Sequence, residues 1–105
     1  MSKKEQYTNL LHIYGQEQWH GEAYIIGNRG GLLELKKAIE QALSDNKGET
    51  GDDEPVFAND GEGYQTKVIM NNTDWLESFW VKLALPYTGE VASDKREDAV
   101  WPWKI

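Results

Sequence analysis

Residues 23–44 read AYIIGNRGGLLELKKAIEQALS: an apolar run, a glycine-rich break and a longer segment with helical spacing. In the last part, apolar residues recur at three- and four-residue steps with polar residues between them, which predicts an amphipathic helix. Its predicted apolar face consists of Leu32, Leu35, Ala38, Ile39, Ala42 and Leu43. We therefore interpret the stretch as a strand, a turn and a helix that ends near residues 44–46.

The break itself, residues 27–31, has the sequence Gly-Asn-Arg-Gly-Gly. Gly30 and Gly31 suit a turn that needs unusual backbone angles before the first helical residue, and Asn28 tolerates a left-handed conformation or caps the chain locally. Free N–H groups at a helix start, with Arg29 beside them, form an arrangement that binds phosphate or carboxylate. Asn28, Arg29, Gly30 and Gly31 are therefore a candidate anion site, and a plain strand-to-helix connection is the alternative.

The composition favours a single domain spanning residues 1–105. Cysteine is absent, which excludes disulfides, thiolate metal ligands and a thiol nucleophile. No apolar run has the length of a signal peptide or a membrane span, so a cytoplasmic location without membrane binding is expected. The sequence gives no reason to expect a cofactor.

The net charge of −7 is concentrated in one part of the chain. Residues 45–62 contain seven acids and one lysine, so they contribute −6 while the other 87 residues contribute −1. A basic face that could neutralise phosphates is lacking, which argues against nucleic-acid binding. Residues 45–54 are predicted to form a mobile, solvated acidic loop, and a basic protein is the partner that this charge favours.

The remaining segments predict a second hairpin and a second helix. Residues 7–14 and 19–26 are strand-like and predict an N-terminal antiparallel hairpin. Residues 56–58 and 64–71 predict another hairpin around an Asp-Gly turn, with alternate residues from Tyr64 onwards facing the helices. Residues 75–85 fit either a helix or a strand. In the helical interpretation Asp74 is the N-cap with Glu77 as its capping-box partner, and the inward face is formed by Leu76, Phe79, Trp80 and Leu83.

These elements predict an α+β fold of order β-β-α-β-β-α followed by a C-terminal tail at about residues 88–105. The predicted architecture is a two-layer sandwich, in which an antiparallel sheet of about four strands carries two helices on one face.

Three groups of residues allow a chemical role as well as a purely structural one. His12 and His20 lack a third fixed ligand or a nearby nucleophile, so no metal site or catalytic residue is predicted. Residues 45–54 are rich in acids, but Lys47 falls where a calcium loop needs an oxygen ligand, and the glycines and glutamates of the segment are not at the positions that such a loop requires. Asp60 and Glu62 flank a glycine in a turn, where both are expected to be exposed, so they are not predicted to form the buried acid–base pair of a glycosidase.

The tryptophans and the acids supply the candidate partner-binding residues. A five-residue step turns about 140° around a helix, so Trp75 is expected at the border of the face that carries Trp80. Together with Trp101 and Trp103 of the tail, Trp75 would form an aromatic patch that pairs two subunits or receives a partner. The alternative is that the tail covers Trp75 within the same chain. The candidate partner-binding residues are Asp52, Asp53, Glu54, Asp60, Glu62, Trp75, Trp101 and Trp103.

Segments at residues 24–28, 60–64 and 85–88 resemble those of small bacterial or phage-borne proteins, and no family or activity follows from the resemblance. Three hypotheses remain open. The first is a non-enzymatic, immunity-like accessory protein or inhibitor that binds a basic partner. The second is a small anion-binding domain or enzyme that uses Arg29. The third is a structural protein that forms a homodimer through its tryptophans.

Overall fold

A computed structural model describes residues 8–51 and 54–105. Their elements in chain order are β1 (Leu11–Tyr14), β2 (Tyr24–Gly27), α1 (Arg29–Asp45), β3 (Lys47–Glu49), β4 (Val56–Phe57), β5 (Gly63–Tyr64), β6 (Lys67–Ile69), α2 (Ser78–Lys82) and a 3₁₀ helix (Pro102–Lys104). The chain divides into two compact units: among the described residues, 8–13 and 25–71 belong to the first, and 14–24 and 72–105 to the second.

The α+β class is confirmed, with short strands and two α-helices among the described residues. The single sheet of about four strands is not confirmed, because the described strands pair as three separate two-stranded sheets: β1 with β2, β3 with β6, and β4 with β5. The pairs β3–β6 and β4–β5 are antiparallel.

The helix predicted after the glycine-rich break is confirmed, but it begins earlier than expected. It starts at Arg29, so Gly30 and Gly31 lie in its first turn and not in a preceding turn. Gly31 is needed for a close approach, because a Cβ there would stand 1.9 Å from the carbonyl oxygen of Leu10. Asn46 ends the helix in the left-handed conformation (φ 72°), and its N–H donates to the carbonyl oxygen of Ala42.

The apolar face of α1 is rotated from the predicted one. Its buried residues are Gly31, Glu34, Leu35, Ala38 and Ala42. By contrast Leu32, Ile39 and Leu43, which were expected to face inward, are exposed by 43, 42 and 66%. At 100° per residue these three lie about 100° around the axis from the buried face. The small residues Ala38 and Ala42 face β3, because Gly48 of that strand approaches the helix backbone closely at these two positions.

Strand β3 occupies a segment that was predicted to be a loop throughout. Asn46 reverses the chain, and β3 then pairs antiparallel with β6, with Gly48 opposite Val68. Gly48 and Thr50 are buried within this polar stretch. The rest of the predicted loop includes Asp52 and Asp53, which lie outside the described residues.

The predicted second hairpin is confirmed as β4 and β5. Its turn closes through Ala58 N–H to the carbonyl oxygen of Glu62 and Gly61 N–H to that of Ala58, with Gly61 at φ 88°. The return strand does not continue unbroken to residue 71. It is divided into β5 and β6, which pair with different partners, although the predicted alternation of burial holds along residues 64–69.

The core of the first unit is formed by Leu11, Leu35 and Val56, against which Tyr64 and Val68 pack. The segment before β1 runs beside β4, since Phe57 N–H donates to the carbonyl oxygen of Asn9 at 2.8 Å. The hydroxyl of Tyr64 donates to the carbonyl oxygen of Leu11. These two hydrogen bonds therefore join β1 and the residues just before it to the second hairpin.

The second unit contains α2, which resolves the ambiguity of residues 75–85 in favour of a short helix. The predicted start is wrong: Glu77 is the N-cap without a side-chain hydrogen bond, and Asp74 instead accepts the N–H of Leu76 in a turn. Leu76 and Trp80, predicted inward, are exposed by 70 and 41%. Five residues are too few to present a continuous buried face.

The C-terminal segment packs within the second unit. The N–H of Ala84 donates to the carbonyl oxygen of Val100 at 2.9 Å, and the N–H of Val100 donates to that of Lys82 at 2.7 Å. Residues 84, 87 and 92 supply its buried apolar side chains.

Candidate functional site

The side chain of Asn28, in the glycine-rich stretch, caps the N-terminus of α1. The Oδ1 atom of Asn28 accepts the N–H of Gly31 at 2.9 Å and the N–H of Leu10 at 3.0 Å. Its Nδ2 donates to the carbonyl oxygen of Thr8 at 2.7 Å. Asn28 therefore occupies part of the position that an anion would take, while Arg29 and Gly30 precede the capped N–H. Anion binding at residues 28–31 stays a prediction.

The predicted acidic residues that the structure describes are exposed. Glu54, Asp60 and Glu62 all lie on the surface of the first unit. Asp60 also has a local structural role, because its Oδ1 accepts the N–H of Glu62 at 2.9 Å. Asp52 and Asp53 lie outside the described residues, so these two candidate positions stay predictions.

The predicted aromatic residues lie in the second unit. Trp75 is 76% exposed and Trp103 is 75% exposed. Trp101 and Trp103 stack on each other, with ring centroids 5.2 Å apart and planes inclined by 12°. Trp103 is the more exposed of the two stacked residues, so its indole is available for contact.

Each histidine has a local contact in its own unit. The Nε2 atom of His12 accepts the N–H of Asn59 at 3.0 Å. His20 adopts φ 56° and meets the ring of Tyr87 edge-on at 5.9 Å. Within the described ranges no group of three or more His, Cys, Asp or Glu residues is arranged to hold a metal ion.

A groove of about 440 Å³ lies along α1 in the first unit, and sequence reasoning did not predict it. Its walls include Leu33, Lys37, Glu40 and the buried Glu34. The Nζ atom of Lys37 lies 2.9 Å from Oε2 of Glu34, whose side chain is 7% exposed. The buried carboxylate is thus already paired, and the groove presents both signs of charge.

A second cavity, which we call the Trp19 pocket, is lined by residues 17–19 and 89–92 of the second unit and measures about 340 Å³. Sequence reasoning missed it, since residues 19–23 were predicted to be part of a strand, and residues 90–98 were predicted to be a short exposed helix or coil within the C-terminal tail. A strand there would have sent alternate side chains to opposite faces. The structure instead gives a turn at residues 17–20 that presents an exposed Trp19.

Among the described residues, no helix combines the length and the apolar character that crossing a bilayer requires. Comparison with protein-family models, curated proteins and solved structures finds no match to this chain.

Proposed function

We propose that the protein is a non-enzymatic accessory protein, of the immunity or inhibitor kind, that binds a basic protein partner. The observation that carries the proposal is the exposed stripe of α1, formed by Leu32, Ile39 and Leu43. These side chains repeat at seven- and four-residue steps and share one helix face, so they form a row and not scattered surface residues.

An exposed apolar row of this kind is the feature that helix-mediated recognition uses. Partner proteins commonly engage a helix through anchors at such spacings. Because the three side chains are already about half covered, complete burial would contribute about 1 kcal/mol from each. The row is therefore suited to a partner that also gains affinity from other contacts.

The charge of the protein indicates the character of the partner. The whole chain carries −7, and exposed carboxylates of Glu54, Asp60 and Glu62 lie in the same unit as the stripe. Complementary charge mainly raises the association rate and the salt dependence, while the apolar contacts slow dissociation. A basic partner fits both features.

The test is affinity capture with the tagged full-length chain, followed by binding kinetics with the captured protein. Ile39→Gln combined with Leu43→Gln is expected to abolish capture, whereas Leu76→Gln, a change at a 70% exposed leucine of the other unit, is expected to leave it intact. Glu54→Gln, Asp60→Asn and Glu62→Gln together should slow association at low salt. Equal capture by the stripe variant would contradict the proposal.

Pairing with a second copy of the chain is the other candidate, favoured by the stacked Trp101 and the 75% exposed Trp103. Sedimentation over a concentration series tests it. If the chain dimerises and Trp103→Ala makes it monomeric, self-association is supported. A monomer at every concentration would contradict it.

A further inference from the structure

The Trp19 pocket has walls that are held together by backbone hydrogen bonds. The N–H of Thr88 donates to the carbonyl oxygen of Gln16 at 2.9 Å, and the N–H of Gly89 donates to that of Glu17 at 2.8 Å. Gly89 permits this approach, because a Cβ there would stand 2.4 Å from the oxygen of Glu17. The two segments are thus joined before any ligand binds.

The turn that carries Trp19 is closed in the same way. The N–H of Gly21 donates to the carbonyl oxygen of Gln18 at 3.0 Å, and Nε2 of Gln16 donates to the carbonyl oxygen of Gly21 at 2.8 Å. On the opposite wall, the N–H of Ser93 donates to the carbonyl oxygen of Gly89 at 2.8 Å. Both walls are therefore preorganised, which lowers the entropy cost of binding.

The lining combines apolar surface with negative charge. Trp19 is 58% exposed, Val91 is 78% exposed and Ala92 is buried. Glu17 and Glu90 add two carboxylates, and no Lys, Arg or His is part of the lining. In the described part of the chain neither carboxylate is engaged in an ion pair; Lys95 reaches this region but donates to the backbone oxygen of Glu90.

We propose that the Trp19 pocket binds a lysine side chain of the basic partner, an inference that rests on the proposed function. A lysine has an apolar stem that matches Trp19 and Val91, and a compact ammonium group with three donors that matches the carboxylates of Glu17 and Glu90. The indole adds a cation–π attraction for the same group. The occupant follows from charge complementarity, since the lining carries two negative groups and no positive one.

The test is an NMR titration of the full-length chain with Nα-acetyl-lysine N-methylamide, with the norleucine analogue as the uncharged probe of similar shape. The titration extends to about 50 mM at low salt, because one cation–π contact and two exposed charge pairs give only millimolar affinity. We expect saturable shifts of the Trp19 indole N–H and the Gly89 amide with the lysine probe alone.

Glu17→Gln combined with Glu90→Gln is expected to weaken binding about fivefold or more. Glu77→Gln combined with Glu97→Gln removes the same charge outside the pocket and should leave binding within about twofold. Trp19→Leu keeps apolar volume and removes the ring, so it should also weaken binding. Equal shifts with norleucine, equal losses in both double variants, or no saturable shift would overturn the inference.

The two proposals fail in different ways. Saturable binding of the lysine probe without capture of a partner through the α1 stripe would contradict the proposed function and support the lysine site in the pocket. Capture of a partner that is unaffected by Glu17→Gln with Glu90→Gln, together with a pocket silent to the lysine probe, would remove the pocket alone.

Discussion

Arg96 holds the carboxylate of Asp94 through two donors, with Nη2 2.8 Å from Oδ2 and Nε 3.1 Å from Oδ1. The same carboxylate accepts the N–H of Leu85, and the same guanidinium donates to the carbonyl oxygens of Val81 and Leu83. The side chain of Asp94 is 2% exposed. This ion pair therefore joins the end of α2 to the C-terminal segment inside the second unit.

The first prediction concerns pH. The hydrogen bonds from the Arg96 side chain, with those from the Leu85 and Arg96 N–H groups, hold the pKa of Asp94 well below its ordinary value of 3.8. A pKa lowered in the folded state stabilises the protein above the unfolded-state value, and this contribution is lost as pH falls below about 4 towards the folded-state pKa.

Asp94→Asn should therefore lower the melting temperature at pH 7 and flatten its dependence on pH below 4. Glu97→Gln, a change at an exposed carboxylate three residues away, is the matched control and should leave both unchanged. Thermal unfolding followed by circular dichroism between pH 2 and pH 7 measures the effect. If the melting temperatures of wild type and Asp94→Asn fall in parallel below pH 4, the Asp94–Arg96 ion pair is not the cause of the loss of stability in acid.

The second prediction concerns the contact of β3 with α1. A Cβ on Gly48 would stand 2.0 Å from the carbonyl oxygen of Ala38 and 3.0 Å from the N of Ala42. Since both are helix backbone atoms, Gly48→Ala forces the strand away from the helix and should cost about 3 kcal/mol or more of unfolding free energy.

Gly63→Ala is the control for this substitution. Its Cβ would stand 3.4 Å from the ring of Phe57 and 3.6 Å from the carbonyl oxygen of Val56, which are ordinary contact distances, so its cost should stay within about 1 kcal/mol. Urea unfolding gives both values. A mild effect at position 48 would mean that β3 and α1 do not approach closely in solution.

The third prediction concerns the cap of α1. Asn28→Ala removes the hydrogen bonds to Gly31, Leu10 and Thr8 together, and should cost about 2 kcal/mol or more. Asn28→Asp keeps the acceptor for the two N–H groups and loses the donor to Thr8, so its loss should be smaller.

Asn72→Ala, at an exposed asparagine, serves as the reference for this series and should be close to neutral. Urea unfolding monitored at 222 nm measures all three variants. If Asn28→Asp is at least as destabilised as Asn28→Ala, the oxygen acceptor is not the important part of the cap.

The sequence by itself determined the elements whose signals are local. Spacing along residues 32–43 identifies α1, Asn28 is a strong N-cap type, and the Asp-Gly pair at residues 60–61 indicates the β4–β5 hairpin. These features depend on neighbours a few positions apart, so one chain segment contains the information.

Only the tertiary structure decided which partners these elements meet. The close approach of Gly48 to Ala38 determines which face of α1 is buried. The same contact leaves the stripe formed by Leu32, Ile39 and Leu43 exposed. The Trp19 pocket exists because Gly89 lies against Glu17, more than seventy positions away. Contacts at such separation depend on the packing of backbone on backbone, and no periodicity in the sequence encodes it.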